Sequence, residues 1–235
     1  MVDNGKRVAV MIGGTSGLGL GTAAFFASKS IDVIVGGRDQ EKLTKAVGII
    51  GQGARGIRVN VSEDLSVQDF FRQVGDFNYL IMTASGTFAD KPLAETSIEE
   101  FRAFAETKLW GTLRCVREAQ QHMAEEASIT IVSGAVSRKG RAGAHAKTIT
   151  NAALEGLTRS LAVELGSRVR VNCISPGMFD SKGTMTIQKK DEIRALYPRR
   201  YIGNSRDVAA MIYSVATNAF MTGSVISIDS GWTAA

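Results

Sequence analysis

The sequence predicts an α/β fold in which helices cover both faces of a single parallel sheet of seven strands. Short, continuous apolar runs alternate with helix-like stretches along the chain, and such runs are typical of strands that are buried on both faces. Right-handed crossovers connect strands that alternate with helices in this way, which gives one parallel sheet. The length of 235 residues suits a single domain over residues 1–235, and a composition of 44% hydrophobic and 22% charged residues argues against long disorder.

The predicted strands and helices alternate along the chain, with two helices between the last two strands. The predicted strands are Val8–Ile12, Val33–Val35, Gly56–Val59, Tyr79–Met82, Ile129–Val132, Val169–Ile174 and Val225–Ile228. The predicted helices are Gly17–Ser28, one from Asp39, Ser66–Val74, Ser97–Met123, Thr148–Leu165, one in the polar segment up to Tyr201, and Asp207–Thr217. Pro92, Pro176 and Pro198 all fall in predicted loops, where their missing N–H groups cost no helix or sheet hydrogen bond.

Composition also limits the kinds of site and partner. No apolar run approaches the length of a membrane span, and the N-terminal segment lacks the apolar stretch of a signal peptide, so a cytoplasmic location without membrane contact is expected. Two cysteines and two histidines offer neither a disulfide framework nor a zinc spacing, so no metal is expected. The net charge of +5 is spread along the chain, which favours a solvated surface or a pocket for a phosphorylated cofactor over nucleic-acid binding.

A glycine-rich turn joins the first predicted strand to the first predicted helix. It consists of Gly13, Gly14, Thr15, Ser16, Gly17, Leu18 and Gly19, in the pattern G-x-x-x-G-x-G. Glycines let the backbone approach a pyrophosphate closely, and the helix N-terminus supplies free N–H groups and a positive dipole end. The strand before the turn and the helix after it are the context of a doubly wound Rossmann fold, so the turn predicts dinucleotide binding.

The tip of the second predicted strand indicates which dinucleotide is bound. An acidic residue there would accept hydrogen bonds from the 2′-hydroxyl of NAD, but this strand ends in Gly36 and Gly37 followed by Arg38. A guanidinium forms strong, charge-assisted hydrogen bonds to a phosphate. We therefore expect NADP(H), with Arg38 on its 2′-phosphate. The alternative is that Arg38 is solvated and that Asp39 only caps the next helix.

Further motifs follow in a characteristic order. Asn60-Val61 follows the third strand, Thr83-Ala84-Ser85-Gly86 the fourth, and Pro176-Gly177 ends the run that begins at Arg170. With the glycine turn and Asp229-Ser230-Gly231, these motifs make the chain similar to the short-chain dehydrogenase/reductase family over essentially its whole length. The resemblance implies further cofactor contacts from Asn60, Val61, Ala84, Ser85, Pro176, Gly177 and Phe179.

The catalytic positions depart from this family, whose tetrad is Asn, Ser, Tyr and Lys. The corresponding positions here are Lys108, Gly134 (Ser133 with a shift of one residue), Lys147 and Asn151. The candidate catalytic residues are therefore Ser133, as a polar substrate contact, with Lys147, Asn151 and Lys108; His145 is another possible acid. All four tyrosines lie elsewhere in the chain, and Tyr197 and Tyr201 follow Pro176-Gly177.

Three functions remain open from the sequence. The first is an NADP(H)-dependent oxidoreductase with a degenerate tetrad, acting on an imine, an iminium ion or another activated small molecule. The second is a non-redox cyclase or isomerase on the same scaffold, similar to members of this family in fungal indole-alkaloid pathways. The third is a protein that senses NADP(H) without catalysis.

The resemblance also indicates the substrate and the assembly. Methionines and aromatic residues follow Pro176-Gly177, in the segment that forms the substrate lid in the family, and they suggest a small apolar substrate. The predicted helix Asn151–Leu165 is rich in small residues. The resemblance implies that this helix and the one near Lys108–Met123 pack against a twofold mate, so a homodimer or homotetramer is expected.

Overall fold

The computed structural model describes residues 6–235, and it contains one seven-stranded parallel sheet in the order β3-β2-β1-β4-β5-β6-β7. The strands are β1 (Val8–Ile12), β2 (Asp32–Gly37), β3 (Ala54–Arg58), β4 (Phe77–Met82), β5 (Met123–Val132), β6 (Val169–Pro176) and β7 (Val225–Ile228). The helices are α1 (Gly17–Ala27), α2 (Gln40–Ile50), α3 (Asp64–Val74), α4 (Ile98–Ala105), α5 (Gly111–Ala119), α6 (His145–Leu165), α7 (Ile187–Leu196) and α8 (Ser205–Thr217). The predicted fold class is confirmed.

The strand order creates a crevice between β1 and β4, at the carboxyl ends of the strands. The chain runs outward from β1 through β2 to β3, then crosses back to place β4 on the other side of β1. The loops after β1 and β4 therefore diverge at the carboxyl ends of adjacent strands. Ligands bind doubly wound sheets at such a reversal of strand order.

Two apolar clusters, one on each face of the sheet, form most of the core. Along β1, Val10 and Ile12 belong to one cluster, whereas Ala9 and Met11 belong to the other. Successive side chains of a strand point to opposite faces, so this division shows that both faces of β1 are buried. Burial on both faces explains why the strands read as continuous apolar runs in the sequence.

Two predicted helix boundaries were wrong. The predicted helix Ser97–Met123 ends at Ala119, and Met123 instead begins β5, where it pairs with Phe77. The helix predicted to continue to about Tyr201 ends at Leu196, two residues before Pro198. In the first case sheet pairing overrides a sequence that continues the helical pattern, and in the second the proline restricts the residue before it.

The longest helix, α6, carries polar residues on its buried side. Thr150, Asn151, Glu155 and Thr158 are all buried, and α6 packs against β6. Asn151 and Glu155 are one turn apart, so both face the carboxyl ends of the central strands. Among the helices described, none is both long enough and apolar enough to cross a membrane.

Candidate active site and cofactor groove

A groove of about 360 Å³ opens where the strand order reverses. Loops that follow β1, β2, β3, β4 and β6 form its walls, together with the helical segment after α4. Its lining residues are Ile12, Gly13, Thr15, Ser16, Gly17, Leu18, Gly19, Gly36, Gly37, Arg38, Val59, Val61, Thr83, Ala84, Ser85, Thr107, Ser181 and Lys182.

The glycine turn is packed too closely to carry side chains at two positions. A Cβ at Gly19 would lie 2.3 Å from the carbonyl oxygen of Gly13, and a Cβ at Gly13 would lie 2.6 Å from the amide nitrogen of Ala84. Ser16 stands at the N-cap of α1, yet its hydroxyl makes no capping hydrogen bond. The first N–H groups of α1 and the Ser16 hydroxyl are therefore available to an anion.

The charges along the groove suit a phosphorylated ligand. Arg38 and Lys182 line it, and no carboxylate is among its lining residues. The carboxylate of Asp39 accepts the Lys42 N–H at 3.1 Å, and this hydrogen bond holds the pKa of Asp39 below its ordinary value. Asp39 is thus engaged in capping α2, whereas within residues 6–235 the Arg38 guanidinium forms no hydrogen bond or ion pair. The donor set fits a dinucleotide with an additional phosphate.

Most of the predicted cofactor residues lie together in this groove, but four of them do not line it. The Asn60 amide donates to Glu63 at 2.6 Å and its oxygen accepts the Ser62 N–H, so Asn60 braces its own loop. Pro176 and Gly177 line a neighbouring pocket. Phe179 packs against the core beside α8. The assignment of cofactor contacts to these residues remains a prediction.

Sequence reasoning missed several groove residues. Ser181 and Lys182 come from the loop after β6, and Thr107 comes from the segment between α4 and α5. The only sequence signal for the loop is its polar character, Asp180-Ser181-Lys182-Gly183. No local pattern shows that it crosses to the glycine turn, since that depends on how β6 and β1 lie in the sheet.

A second pocket, which we call the apolar pocket, lies beside the groove and has a volume of about 200 Å³. Its lining residues are Gly134, Ala135, Val136, Arg141, Pro176, Gly177, Met178, Ile193, Leu196, Tyr197 and Trp232. Arg141 is its only charged residue, and it forms an ion pair with Asp90. The pocket therefore suits a small, mainly apolar molecule.

Tyr197, from the segment expected to form the substrate lid, lies near the Gly134 position although the two are distant in the chain. The phenol of Tyr197 lines the apolar pocket together with Gly134, because α7 folds back over the carboxyl end of β6. Its oxygen accepts the Met178 N–H at 2.6 Å and donates to the Met178 carbonyl at 3.1 Å. Burial raises the pKa of Tyr197 above its ordinary value, so the phenol stays protonated and donates its proton in the hydrogen bond to the backbone.

Ser133, at the carboxyl end of β5, is turned towards a buried carboxylate. Its hydroxyl donates to Glu155 at 3.1 Å, and Glu155 also accepts hydrogen bonds from the hydroxyls of Ser137 and Ser175. Arg138 lies 3.4 Å from the same carboxylate. This network satisfies Glu155 and fixes the Ser133 hydroxyl within the protein.

Gly134 and Asn151 face one another next to Ser133. A Cβ at Gly134 would lie 2.9 Å from the Asn151 amide nitrogen, so a serine side chain here would point at Asn151. Asn151 is only 3% exposed, and none of the residues 6–235 supplies a hydrogen-bond partner for its side-chain oxygen. Buried amide oxygens normally accept a hydrogen bond, so this oxygen is an unused acceptor.

Lys108 approaches the same place from the other side. It lies in a π-helical turn, Glu106–Trp110, between α4 and α5, and such turns are frequent at functional sites. Lys108 is 9% exposed, and its ammonium donates to the Ser133 carbonyl at 3.2 Å. Burial lowers the pKa of Lys108 to about 8, and the charge of Lys147 acts in the same direction.

The other two candidate proton donors are held elsewhere. Lys147 forms an ion pair with Asp90 at 2.7 Å, and Asp90 also binds Arg141. His145 stacks on Phe101 with ring centres 5.1 Å apart, and its Nε2 lies 3.0 Å from the Thr96 hydroxyl. Of the four predicted catalytic residues, the structure therefore brings Ser133, Asn151 and Lys108 together at the end of β5, and Lys147 is tied to the loop after β4.

Lys108→Met should stabilise the fold, because a buried ammonium with one acceptor costs desolvation energy. We expect a gain of about 1–3 kcal/mol in the free energy of unfolding at pH 7, measured with urea. The pKa of Lys108 is about 8 in the folded state and 10.5 ordinarily. The cost of burying the charged ammonium therefore acts in full below pH 8 and disappears as the pH rises to 10.5. The gain should shrink over that interval.

The exposed Lys45 on α2 provides the control, and Lys45→Met should leave the unfolding free energy unchanged within about 0.5 kcal/mol. Destabilisation by Lys108→Met would mean that the ammonium is a structural element of the fold.

The chain is similar to known reductases over nearly its whole length. Residues 13–233 match the family model described as enoyl-(acyl carrier protein) reductase. The chain is 27% identical over 231 residues to the 3-oxoacyl-(acyl-carrier-protein) reductase of Mus musculus, across 96% of this chain and 97% of that protein. A crystal structure of a putative betaketoacyl-ACP reductase is 30% identical, covers 97% of this chain and 98% of its own, and superimposes with a TM-score of 0.88. A variant of ElxO with NADPH bound is 25% identical, covers 98% of this chain and 100% of its own, and has a TM-score of 0.90.

The fold and these relatives thus define the class of the protein as an α/β oxidoreductase. The chain belongs to the short-chain dehydrogenase/reductase family, because a model of that family matches residues 13–233. Members of this family bind a nicotinamide cofactor.

Proposed function

We propose that the protein is an NADP(H)-dependent oxidoreductase that acts on a small apolar molecule held in the apolar pocket. The observation that carries the proposal is the charge pattern of the groove, where Arg38 and Lys182 face a ligand and no carboxylate does. A 2′-phosphate would be attracted to Arg38, whereas the 2′-hydroxyl of NAD would find no acidic acceptor. NADPH is also the molecule bound to the ElxO variant, whose fold matches this one closely.

The proposed chemistry follows from the residues at the end of β5. When bound, the reduced cofactor supplies a hydride. In the family a tyrosine then protonates the product oxygen, but Lys147 stands at that position and is paired with Asp90. Tyr197 keeps its hydroxyl on the backbone of Met178. This arrangement favours an acceptor that needs no proton, such as an iminium ion, because hydride transfer itself neutralises the positive charge.

A ligand panel tests the proposal. The melting temperature is measured with NADPH, NADP, NADH and NAD, and with the matched pair 2′,5′-ADP and 5′-AMP, which differ only in the 2′-phosphate. We expect NADPH, NADP and 2′,5′-ADP to raise the melting temperature by several degrees and their partners to raise it much less. Stabilisation by none of the six would contradict the proposal and would favour a non-redox catalyst on this scaffold.

We also propose that the protein assembles as a homodimer or homotetramer through α5 and α6. Apolar side chains are exposed on this side of the molecule, including Trp110 at 49% and Ile149 at 60%. Light scattering at micromolar concentration should give a dimeric or tetrameric mass, and Trp110→Glu/Ile149→Glu should lower it, since a buried charge opposes association. The exposed Ile49 on α2 provides the control, as Ile49→Glu should leave the mass unchanged. A monomeric unmodified protein would refute this assembly.

A further inference from the structure

Lys108 and Asn151, which we call the polar junction, lie at the end of β5 next to lining residues of both cavities. Both contact the Ser133-Gly134 step at the end of β5, Lys108 through the Ser133 carbonyl and Asn151 through the space over Gly134. Thr107, the neighbour of Lys108, lines the cofactor groove, whereas Gly134 lines the apolar pocket. The junction therefore lies where a ligand in the groove would meet a ligand in the pocket.

Hydrogen bonding at this junction is incomplete. An ammonium has three donors, and Lys108 uses one of them on the Ser133 carbonyl at 3.2 Å. Over the described range 6–235, no carboxylate forms an ion pair with Lys108. The Asn151 oxygen is buried and has no hydrogen-bond partner in the part of the chain that the structure describes. The junction thus offers unused donors beside an unused acceptor.

A sugar diol matches this combination, because each hydroxyl both donates and accepts a hydrogen bond. We propose that Lys108 and Asn151 together bind the nicotinamide-bearing ribose, with Lys108 donating to its hydroxyls and Asn151 accepting from them. This inference rests on the proposed function. In this chain, the lysine and the asparagine of the family tetrad have exchanged positions. The ammonium group therefore comes from the segment between α4 and α5, and the amide group comes from α6.

Lys147 is poorly placed for this role. Its ammonium is neutralised by Asp90, which Arg141 binds as well. Lys108 has no such partner, and its backbone is fixed by the π-helical turn and by the Thr112 hydroxyl, which donates to the Lys108 carbonyl at 2.6 Å. A buried, uncompensated ammonium is costly, and a bound ligand with oxygen acceptors would offset that cost.

An exchange experiment tests the inference by affinity alone. Dissociation constants for NADPH and for 2′,5′-ADP, which lacks the nicotinamide ribose, are measured by fluorescence titration and calorimetry. The proteins are the unmodified chain, Lys108→Asn, Asn151→Lys and the double exchange. We expect each single substitution to weaken NADPH binding by about 10- to 100-fold, which corresponds to one charge-assisted hydrogen bond. The double exchange should restore the affinity to within about threefold, because it returns one ammonium and one amide to the junction.

Binding of 2′,5′-ADP separates the ribose contact from general damage to the groove. Its affinity should stay within about twofold in all four proteins, since it does not reach the junction. Lys108→Met, which should fold at least as stably as the unmodified chain, repeats the test without a polar side chain and should lose NADPH affinity as Lys108→Asn does.

Three results would overturn the inference alone. The first is NADPH binding that is indifferent to Lys108→Asn and Lys108→Met, and the second is an equal loss of affinity for both ligands. The third is a double exchange as weak as the sum of its singles. If the unmodified protein bound neither ligand, the proposed function would fail and the inference with it.

Discussion

Arg38→Asp should weaken NADPH binding by at least about 100-fold while leaving NADH binding unchanged or stronger. The substitution removes a charge-assisted hydrogen bond worth about 1.5–3 kcal/mol and places a carboxylate opposite the 2′-phosphate. The same carboxylate could accept from the 2′-hydroxyl of NADH. Dissociation constants from fluorescence titration of both cofactors give the preference directly.

The control for this substitution keeps the change of charge but moves it away from the groove. Arg206 is exposed at the start of α8 and does not line the groove, so Arg206→Asp should leave both affinities unchanged. Equal binding of NADPH and NADH by the unmodified protein would show that Arg38 does not bind the 2′-phosphate.

Simple ketones should be reduced very slowly by the unmodified protein, and a variant that restores the Asn, Tyr and Lys of the family tetrad should be faster by about 10²–10⁴-fold. The variant carries Lys147→Tyr and Asn151→Lys, together with Lys108→Asn. The third substitution is needed because the structure places Lys108 beside Asn151 at the end of β5, where two buried ammonium groups would repel each other. Initial rates with NADPH and a ketone panel measure the gain.

The physical reason is the developing charge on oxygen. Reduction of a neutral ketone forms an alkoxide that must be protonated or stabilised, whereas a cationic C=N acceptor becomes neutral on receiving the hydride. Cyclic iminium substrates should therefore be better acceptors than ketones of the same shape. The Lys108→Asn variant without the other two substitutions controls for the loss of the buried charge. Brisk ketone reduction by the unmodified protein, at about tens per second, would mean that another group protonates the product.

The architecture could be predicted from the sequence because it depends on local pattern. β1 and β7 have the bounds that their apolar runs predict, and all seven strands form one parallel sheet. Strands buried on both faces leave a strong, continuous signal, and the glycine turn is a local constraint on the backbone. The helix boundaries at Ala119 and Leu196 were harder to predict, since sheet pairing and the following proline decide where those helices end.

The orientation of the site residues depended on the tertiary structure. Position in the chain suggested Lys147, Asn151 and Lys108 alike, but only the fold pairs Lys147 with Asp90 and turns Lys108 inward through a π-helical turn. Tyr197 is far from Gly134 in sequence, and it reaches the same pocket because α7 folds back over β6.

The sequence by itself determined the class of fold and the place of the groove beside the glycine turn, because periodicity and glycine spacing act over a few neighbouring residues. The tertiary structure alone decided which polar groups at the groove are already satisfied. Asp39, Asn60 and Ser133 are each paired within the protein, whereas the Asn151 oxygen has no partner. Hydrogen-bond partners of a buried group come from several elements at once, so no local pattern reveals whether the group remains available to a ligand.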